Sequence, residues 1–238
     1  MSKMVGLSRA IKTEWLSKTV ELVTQTSDEQ VIKDSLNEYL SFEIQSPINI
    51  RKTREILMNI WLRPSNTSAE IWSEAIKAYQ HDKGNRLALN WVMILLAYPV
   101  FLDVCNLIGK ISSIQNTFTT AWLKEKILEH WGERTTLYHS SDKILQTIKF
   151  LGAIENVKVG TYRICPTRLT DTVTLKVMIM ALLKLDKKAY YEVMALSSMP
   201  LFFPFHYDVS LEWLHNAEVF KISSFGGKIV ISAKEDCL

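Results

Sequence analysis

The chain has 238 residues, of which 47% are hydrophobic and 22% are charged, so it has enough apolar surface for a folded core and is not disordered by composition. Eight glycines and six prolines are few, and apolar residues recur at spacings of three and four, which predicts a mainly α-helical protein. The net charge of +3 permits nucleic-acid binding without requiring it. Cys105, Cys165 and Cys237 form no CxxC pair, which argues against a disulfide framework and a structural zinc site.

The sequence does not have the pattern of a secreted or membrane protein. Lys3, Arg9 and Lys12 fall where a signal peptide would be uninterrupted and apolar. The longest uncharged run, residues 87–102, has 16 residues, fewer than the roughly 20 that span a bilayer. We therefore expect a cytoplasmic protein without membrane contact, in which this run forms part of a buried helical hairpin.

Residues 1–111 have the pattern of a helical bundle domain. Ser8 is the predicted N-cap of the first helix, because its side chain can accept a hydrogen bond from a free N–H group of the first turn. The second helix is predicted to start at Asp28. The step from Ser46 to Pro47 breaks the chain before the third helix, since a residue before proline avoids helical geometry. Further helices are predicted over about residues 50–62 and 68–79, and the apolar helical hairpin over about residues 86–111.

Residues 112–168 have the element order of a winged helix-turn-helix. Helices are predicted over about residues 118–131 and 141–151, and residues 157–164 form a predicted β-hairpin that turns at Gly160. A winged helix places its second helix in the major groove of DNA and its hairpin along the backbone or in the minor groove. The net charge of this segment is +3, as large as that of the whole chain. This charge favours the segment as the DNA-binding unit.

The second helix of this segment has an apolar side, which includes Ile144 and Ile148, and a polar side that is expected to face DNA. The predicted contacts on this helix are Ser140, Ser141, Lys143, Gln146, Thr147 and Lys149. The predicted contacts on the hairpin are Lys158, Thr161, Tyr162 and Arg163. Lysines neutralise phosphates, glutamine can pair with adenine, and hydroxyl groups can bond to phosphate oxygens or base edges. A solvated helix with no ligand is the alternative, because it has the same pattern.

Arg51 and Arg54 begin the third predicted helix, where the helix dipole disfavours each cation by roughly 0.3–1 kcal/mol. At a spacing of three residues the two side chains can face one anion together, such as a DNA phosphate. The alternative is a solvated helix start that Glu55 partly compensates.

Residues 169–238 repeat the order of helix, helix and hairpin, which predicts a C-terminal domain related to a degenerate second winged helix. Its helices are predicted over about residues 171–185 and 190–196. They precede residues 211–215 and a hairpin with predicted strands over residues 219–223 and 228–232. Gly226 and Gly227 lie between the strands and supply the positive φ angles of a tight turn. Residues 199–205 are apolar but broken by proline, so we expect them to lie extended against another part of the protein.

The sequence lacks the motifs of the common catalytic sites. It has no phosphate-binding P-loop, no glycine-rich dinucleotide motif, no HExxH and no GxSxG, and its five histidines are scattered. We therefore expect no enzymatic activity, cofactor, metal or small-molecule substrate, although an unrecognised catalytic site is one alternative. A protein-interaction module without DNA contact is another, and it predicts an exposed apolar patch of Phe202, Phe203 and Phe205.

The order of residue types over about residues 45–165 resembles the BrxA-like family of bacterial BREX phage-defence systems. The segments that carry the resemblance are residues 49–54, 60–63, 95–103 and 141–154. Proteins of this family are small helical DNA-binding accessories. The resemblance implies binding to double-stranded DNA without catalysis, in company with the other proteins of a defence complex.

Overall fold

The computed structural model describes residues 6–63, 67–81, 86–132, 135–186 and 188–234, and the protein is mainly helical, as predicted. The α-helices are α1 (Thr13–Gln25), α2 (Glu29–Ser41), α3 (Pro47–Trp61), α4 (Ala69–His81), α5 (Arg86–Ala97), α6 (Pro99–Ser112), α7 (Thr120–Trp131), α8 (Thr135–Phe150), α9 (Thr172–Leu185) and α10 (Leu211–Asn216). Two 3₁₀ helices, Val193–Ser198 and Pro200–Phe202, precede α10.

The strands form three small sheets. The strands are β1 (Thr117–Thr119), β2 (Ile154–Lys158), β3 (Thr161–Ile164), β4 (Thr167–Arg168), β5 (Tyr191–Glu192), β6 (Phe205–His206), β7 (Phe220–Phe225) and β8 (Lys228–Ala233). One antiparallel sheet has the order β1-β3-β2, and another has the order β5-β8-β7. The short strands β4 and β6 pair in parallel and join the chain after β3 to the C-terminal part.

Helix α5 lies at the centre of the molecule, because every residue from Ala88 to Ala97 is buried. It packs against α1, α3, α4, α6 and α9. Trp91 of α5 donates a hydrogen bond from its indole nitrogen to the Leu201 carbonyl oxygen at 2.9 Å, and its ring contacts those of Phe203 and Phe205 edge-on. The predicted apolar run is thus buried in two helices that separate at Tyr98. Among the described residues, no helix is both long and apolar enough to cross a membrane.

Residues 6–12, which we call the N-terminal strap, are not helical, so the predicted N-cap at Ser8 is wrong. Helix α1 begins only at Thr13. The strap instead runs along α8, where the Ile11 N–H donates to the Thr147 hydroxyl oxygen at 3.0 Å. Gly6 adopts a positive φ of 69° and approaches Ser140 closely. A bond to a residue 136 positions away cannot be read from the local pattern.

Several other helix boundaries differ from the prediction. Helix α2 begins directly after Asp28, close to the predicted start, and the Asp28 carboxylate caps it by accepting from the N–H groups of Gln30 and Val31. Helix α3 begins at Pro47 instead of residue 50, because proline lacks an N–H and fits the first turn of a helix. Helix α8 begins at Thr135, six residues before the predicted start, and β1 occupies residues that were predicted to begin α7.

In the C-terminal part, the predicted hairpin is confirmed and one of the predicted helices is wrong. Strands β7 and β8 pair around a turn of Gly226 and Gly227, both with positive φ. The helix predicted over residues 190–196 is wrong, since β5 pairs there with β8 and a 3₁₀ helix follows. Residues 199–205 form no α-helix, but the expected extended chain is wrong at Pro200–Phe202, which is a 3₁₀ helix. Residues 201–205 are buried against α5 and α6. The sequence also predicts loops at residues 64–68 and 81–85, of which residues 64–66 and 82–85 lie outside the described residues, as does Cys237.

Candidate nucleic-acid interface

Helix α8 and the β2-β3 hairpin form one continuous surface of the molecule. Helix α8 follows α7 directly, and the chain then enters β2 at Ile154. The hairpin turns at Val159 and Gly160, and Gly160 has a positive φ of 70°. A hydrogen bond of 2.5 Å from the Lys149 ammonium group to the Asn156 amide oxygen ties the end of α8 to the hairpin.

One side of α8 is exposed and carries polar and aromatic groups. The exposed residues of this side are Thr135, Thr136, Tyr138, His139, Gln146, Lys149 and Phe150, and the half-buried ones are Asp142 and Lys143. They recur at helical spacing, so they face one direction. The opposite side, which includes Leu137, Ile144 and Ile148, is buried in the core. The predicted inward side of the helix is therefore confirmed at Ile144 and Ile148.

Three hydroxyl residues that were predicted to contact DNA are buried, so the prediction that they are available is wrong. Ser140, Ser141 and Thr147 expose 3%, 1% and 0% of their surface. The Ser141 hydroxyl donates to the Leu137 carbonyl oxygen at 2.9 Å, and the Thr147 hydroxyl donates to the Lys143 carbonyl oxygen at 2.8 Å. Ser140 and Thr147 face the N-terminal strap, which widens the buried side of α8 beyond the apolar stripe.

The cations of this surface fall into two groups. Lys124 forms an ion pair with the Asp142 carboxylate at 2.8 Å, and Arg163 forms one with the Glu155 carboxylate at 2.5 Å. Lys143, Lys149 and Lys158 form no ion pair within the part of the chain that the structure describes. Lys143 and Lys149 contact the amide oxygens of Gln146 and Asn156. Their charges are thus left for an external anion.

The hairpin presents fewer of its predicted contacts than the sequence indicated. The hydrogen bonds that Arg163 donates to Glu155 raise the pKa of Arg163, so this guanidinium group has an anionic partner already. Tyr162 is half-buried and stacks on Phe118 at 5.7 Å between ring centres, which places it in the packing of the sheet. Thr161 is half-buried opposite Thr119. Lys158 is exposed beside the turn.

Arg51 and Arg54 have different surroundings, although the sequence suggested that they share one anion. Arg54 donates to the Asn37 amide oxygen at 3.0 Å and to the Glu55 carboxylate at 2.8 Å, so it is bound within the bundle. Arg51 is exposed and lines a groove together with Gly6. Because Gly6 packs against Ser140, this groove flanks α8, and contact of Arg51 with DNA stays a prediction.

The protein-interaction alternative made a prediction that the structure contradicts. Phe202, Phe203 and Phe205 are buried, with 1%, 6% and 7% of their surface exposed. Phe203 and Phe205 pack on the Trp91 ring. They complete the core between α5 and the C-terminal part and form no exposed apolar patch.

Sequence reasoning missed Lys124, which shapes the surface from the neighbouring helix. Its ammonium group lies 3.6 Å from the centre of the Tyr138 ring and pairs with Asp142. Lys124 thus neutralises the one carboxylate on the exposed side of α8. No sequence pattern links α7 to α8 at these positions. The pairing depends on how the two helices pack.

The described residues contain no group of three or more histidine, cysteine, aspartate or glutamate side chains placed to hold a metal ion. Asp103, which interrupts the apolar run of the sequence, accepts a hydrogen bond from the Trp131 indole at 2.8 Å. Its carboxylate is thus satisfied inside the fold.

Comparison of the chain with models of protein families, with curated protein sequences and with solved structures gave no match.

Proposed function

We propose that residues 112–168, together with helix α6 before them, form a winged helix-turn-helix that binds double-stranded DNA without catalysing a reaction. The observation that carries this proposal is the order α6, β1, α7, α8, β2, β3 combined with the strand order β1-β3-β2. In a winged helix, a first helix and a short strand precede the helix-turn-helix, and that strand pairs with the second strand of the wing. In this unit α8 is the helix for the major groove and β2-β3 is the wing.

The charge of the surface supports DNA as the ligand. Lys143 and Lys149 lie on the exposed side of α8 at a spacing of six residues, and Lys158 lies beside the wing turn. Lysines in these places can reach phosphates on both sides of a groove that holds α8. Gln146 lies between the two helix lysines, where its amide can contact the edges of the bases.

Fluorescence anisotropy of a labelled ~30 bp duplex at several salt concentrations tests this proposal. We expect saturable binding that weakens steeply with salt, because each neutralised phosphate releases counterions. Lys143→Ala, Lys149→Ala and Lys158→Ala should each weaken binding and reduce the salt slope by roughly one unit. Arg163→Ala should have a smaller effect, since Glu155 already neutralises Arg163.

Lys77→Ala is the matched control, because Lys77 is an exposed lysine of α4 outside the winged unit. It should leave the affinity and the salt slope unchanged. Absence of binding at low salt would contradict non-specific DNA binding by this surface. Equal losses in the control and the three variants would remove α8 and the wing from the interface.

We also propose that residues 172–233 form the degenerate second winged helix. The order α9, β5, 3₁₀ helix, α10, β7, β8 resembles that of the first unit, with a second 3₁₀ helix and strand β6 inserted before α10. The strand order β5-β8-β7 repeats β1-β3-β2. The helix in the place of α8 is α10, which has only six residues. Helix α10 contains Glu212 and no lysine or arginine, so we expect the first unit to bind DNA more strongly than the second.

The BrxA-like resemblance supports a defence setting for this activity. We propose that the protein binds DNA as an accessory of a multi-protein phage-defence complex in bacteria. The combined variant Lys143→Ala with Lys149→Ala should then restore plaque formation in a host that carries the system. Full protection by that variant would separate DNA binding from defence.

A further inference from the structure

The N-terminal strap and helix α3 enclose a groove that the proposed contacts of α8 and the wing with DNA do not involve. The strap residues Gly6 and Ser8 line one wall of this groove. Arg9 of the strap donates a hydrogen bond to the Asn49 amide oxygen of α3 at 2.6 Å, which connects the two walls. Tyr98, the residue before α6, also lines the groove. The volume of about 570 Å³ is within the range of small-molecule sites.

The wall of the groove that belongs to α3 has an excess of positive charge. The residues of α3 that line the groove are Arg51, Lys52, Glu55, Ile56 and Asn59. Arg51 and Lys52 are exposed, and within the described part of the chain neither side chain forms an ion pair or a hydrogen bond. The Glu55 carboxylate is already neutralised, because Arg54 lies 2.8 Å and Arg63 lies 3.2 Å from it. Two positive charges are therefore left for an external anion.

Tyr98 supplies a hydrogen-bond donor without an acceptor. Only 1% of its surface is exposed, and its hydroxyl group donates to no acceptor among the described residues. Burial raises the pKa of Tyr98 to about 12, so the hydroxyl group keeps its proton at neutral pH. Asn59 opposes this increase, as a donor to the tyrosine oxygen does, so it leaves the hydroxyl proton free. A buried donor without an acceptor is costly, and an anion in the groove would accept from it.

Phosphate is the anion that this set of groups fits best. A phosphate monoester has between one and two negative charges at neutral pH and three acceptor oxygens, which match two cations and a hydroxyl donor. Arginine is well suited to phosphate, because its planar group forms two parallel hydrogen bonds with it. A carboxylate has a single charge and would leave one cation unpaired. The groove is larger than a phosphate ion, and the buried side chain of Ile56 adds an apolar surface for an organic part.

We infer that this groove binds a small phosphorylated molecule, whose phosphate group contacts Arg51, Lys52 and the Tyr98 hydroxyl. The inference does not depend on DNA binding by α8. A duplex is a poor occupant, because its backbone is too rigid and wide to reach a buried hydroxyl group. Gly6 lines the groove and also packs against Ser140, so the bound molecule contacts the strap that covers part of α8.

Isothermal titration calorimetry of the full chain tests this inference with inorganic phosphate, phenyl phosphate and adenosine monophosphate as probes. We expect one site per chain and, for at least one probe, a dissociation constant on the order of 1 mM or lower. Phenol and adenosine, which lack the phosphate group, should not bind. Arg51→Ala, Lys52→Ala and Tyr98→Phe should each weaken binding about tenfold, because each removes a hydrogen bond to a charged group.

Arg168→Ala and Lys221→Ala are the matched controls, because they remove exposed cations far along the chain from the groove. Both should bind the probes like the unmodified protein. Urea unfolding verifies that each variant is folded under the conditions of the titration. Equal losses in the controls and the groove variants would indicate general attraction to surface cations and would overturn the inference.

The remaining outcomes separate this inference from the proposed function. Absence of binding for all three probes at about 10 mM overturns the small-molecule site. Weaker duplex binding by Arg51→Ala and Lys52→Ala, without binding of any probe, assigns both cations to DNA and also overturns it. A protein that binds the probes through Arg51, Lys52 and Tyr98 but binds no duplex supports this inference and contradicts the proposed function alone.

Discussion

Thr147 shows how one buried hydroxyl group can fix the position of a helix. It accepts a hydrogen bond from the Ile11 N–H at 3.0 Å and donates one to the Lys143 carbonyl oxygen at 2.8 Å. The N-terminal strap therefore depends on α8 for the partner of a backbone N–H. From the sequence alone, this threonine has the same appearance as a DNA contact, since both roles need a hydroxyl group on a helix.

Thr147→Val should separate the two roles. Valine keeps the shape of threonine but leaves the Ile11 N–H without an acceptor, so we expect a loss of about 1–3 kcal/mol in the free energy of unfolding. The affinity of the folded variant for duplex DNA should not change. Urea unfolding and anisotropy measure the two quantities, and Thr136→Val, at an exposed position of α8, is the control for stability. Weaker DNA binding with unchanged stability would show that Thr147 contacts DNA and does not stabilise the strap.

At the scale of elements, α6 meets the 3₁₀ helix of residues 200–202 at Gly109. A Cβ atom on Gly109 would lie 1.9 Å from the Pro200 carbonyl oxygen, so only glycine allows this approach. In an ordinary helix, replacing glycine with alanine stabilises the protein by up to about 1 kcal/mol. The close backbone contact should reverse that sign.

Gly109→Ala should therefore destabilise the protein by about 1–3 kcal/mol, as is usual when a packed contact is overfilled. The measurement is the midpoint of urea unfolding. Lys110→Ala, on the exposed side of the same helix, should change stability by less than about 0.5 kcal/mol. A stabilised Gly109→Ala variant would show that α6 and the 3₁₀ helix do not pack closely in solution.

The elements that could be predicted are those whose signals are local. Asp28 marks the start of α2, which begins at the next residue, and Gly226 and Gly227 mark the turn of the second hairpin. Both signals belong to single residues, since one side chain can cap a helix and one glycine can adopt a positive φ angle. Strand β1 has three residues and exists through its pairing with β3, some 45 positions later, so no local pattern marks it. Residues 190–196 have helical spacing, yet Tyr191 and Glu192 pair with β8, a strand distant in sequence that no local pattern indicates.

The features of the candidate site that could be predicted are likewise those with local signals. The exposed side of α8 and the lysines on it follow from helical periodicity and were predicted. The buried hydroxyl groups, the Arg163–Glu155 pair and the role of Lys124 depend on contacts with the strap, β2 and α7. Such contacts are decided by tertiary packing, which a single sequence does not display.

At the scale of the whole molecule, an ion pair connects the N-terminal bundle with the C-terminal part. The Lys176 ammonium group of α9 lies 2.8 Å from the carboxylate of Glu74 on α4, and both side chains are partly exposed. Its hydrogen bond, with a further one from Lys77, lowers the pKa of Glu74 below the ordinary value of 4.5. Because the folded protein lowers this pKa, the pair stabilises the fold fully above pH 4.5. The contribution disappears as the pH falls through the lower pKa of the folded state.

A double-mutant cycle of Glu74→Gln and Lys176→Met should therefore give a coupling energy that depends on pH. We expect up to about 1 kcal/mol at pH 7, the upper range for partly exposed pairs, and a steady decrease below pH 4.5. Urea unfolding at pH values from 7 to 3 measures it. Lys77→Met serves as the control, because Lys77 contacts Glu74 within α4 and is well exposed, so its own coupling should be smaller. A coupling that is zero at pH 7, or constant down to pH 3, would mean that α4 and α9 are joined by the apolar contacts alone. The two units that we propose as winged helices would then depend on α5 for their attachment to the bundle, since both α6 and α9 pack on that helix.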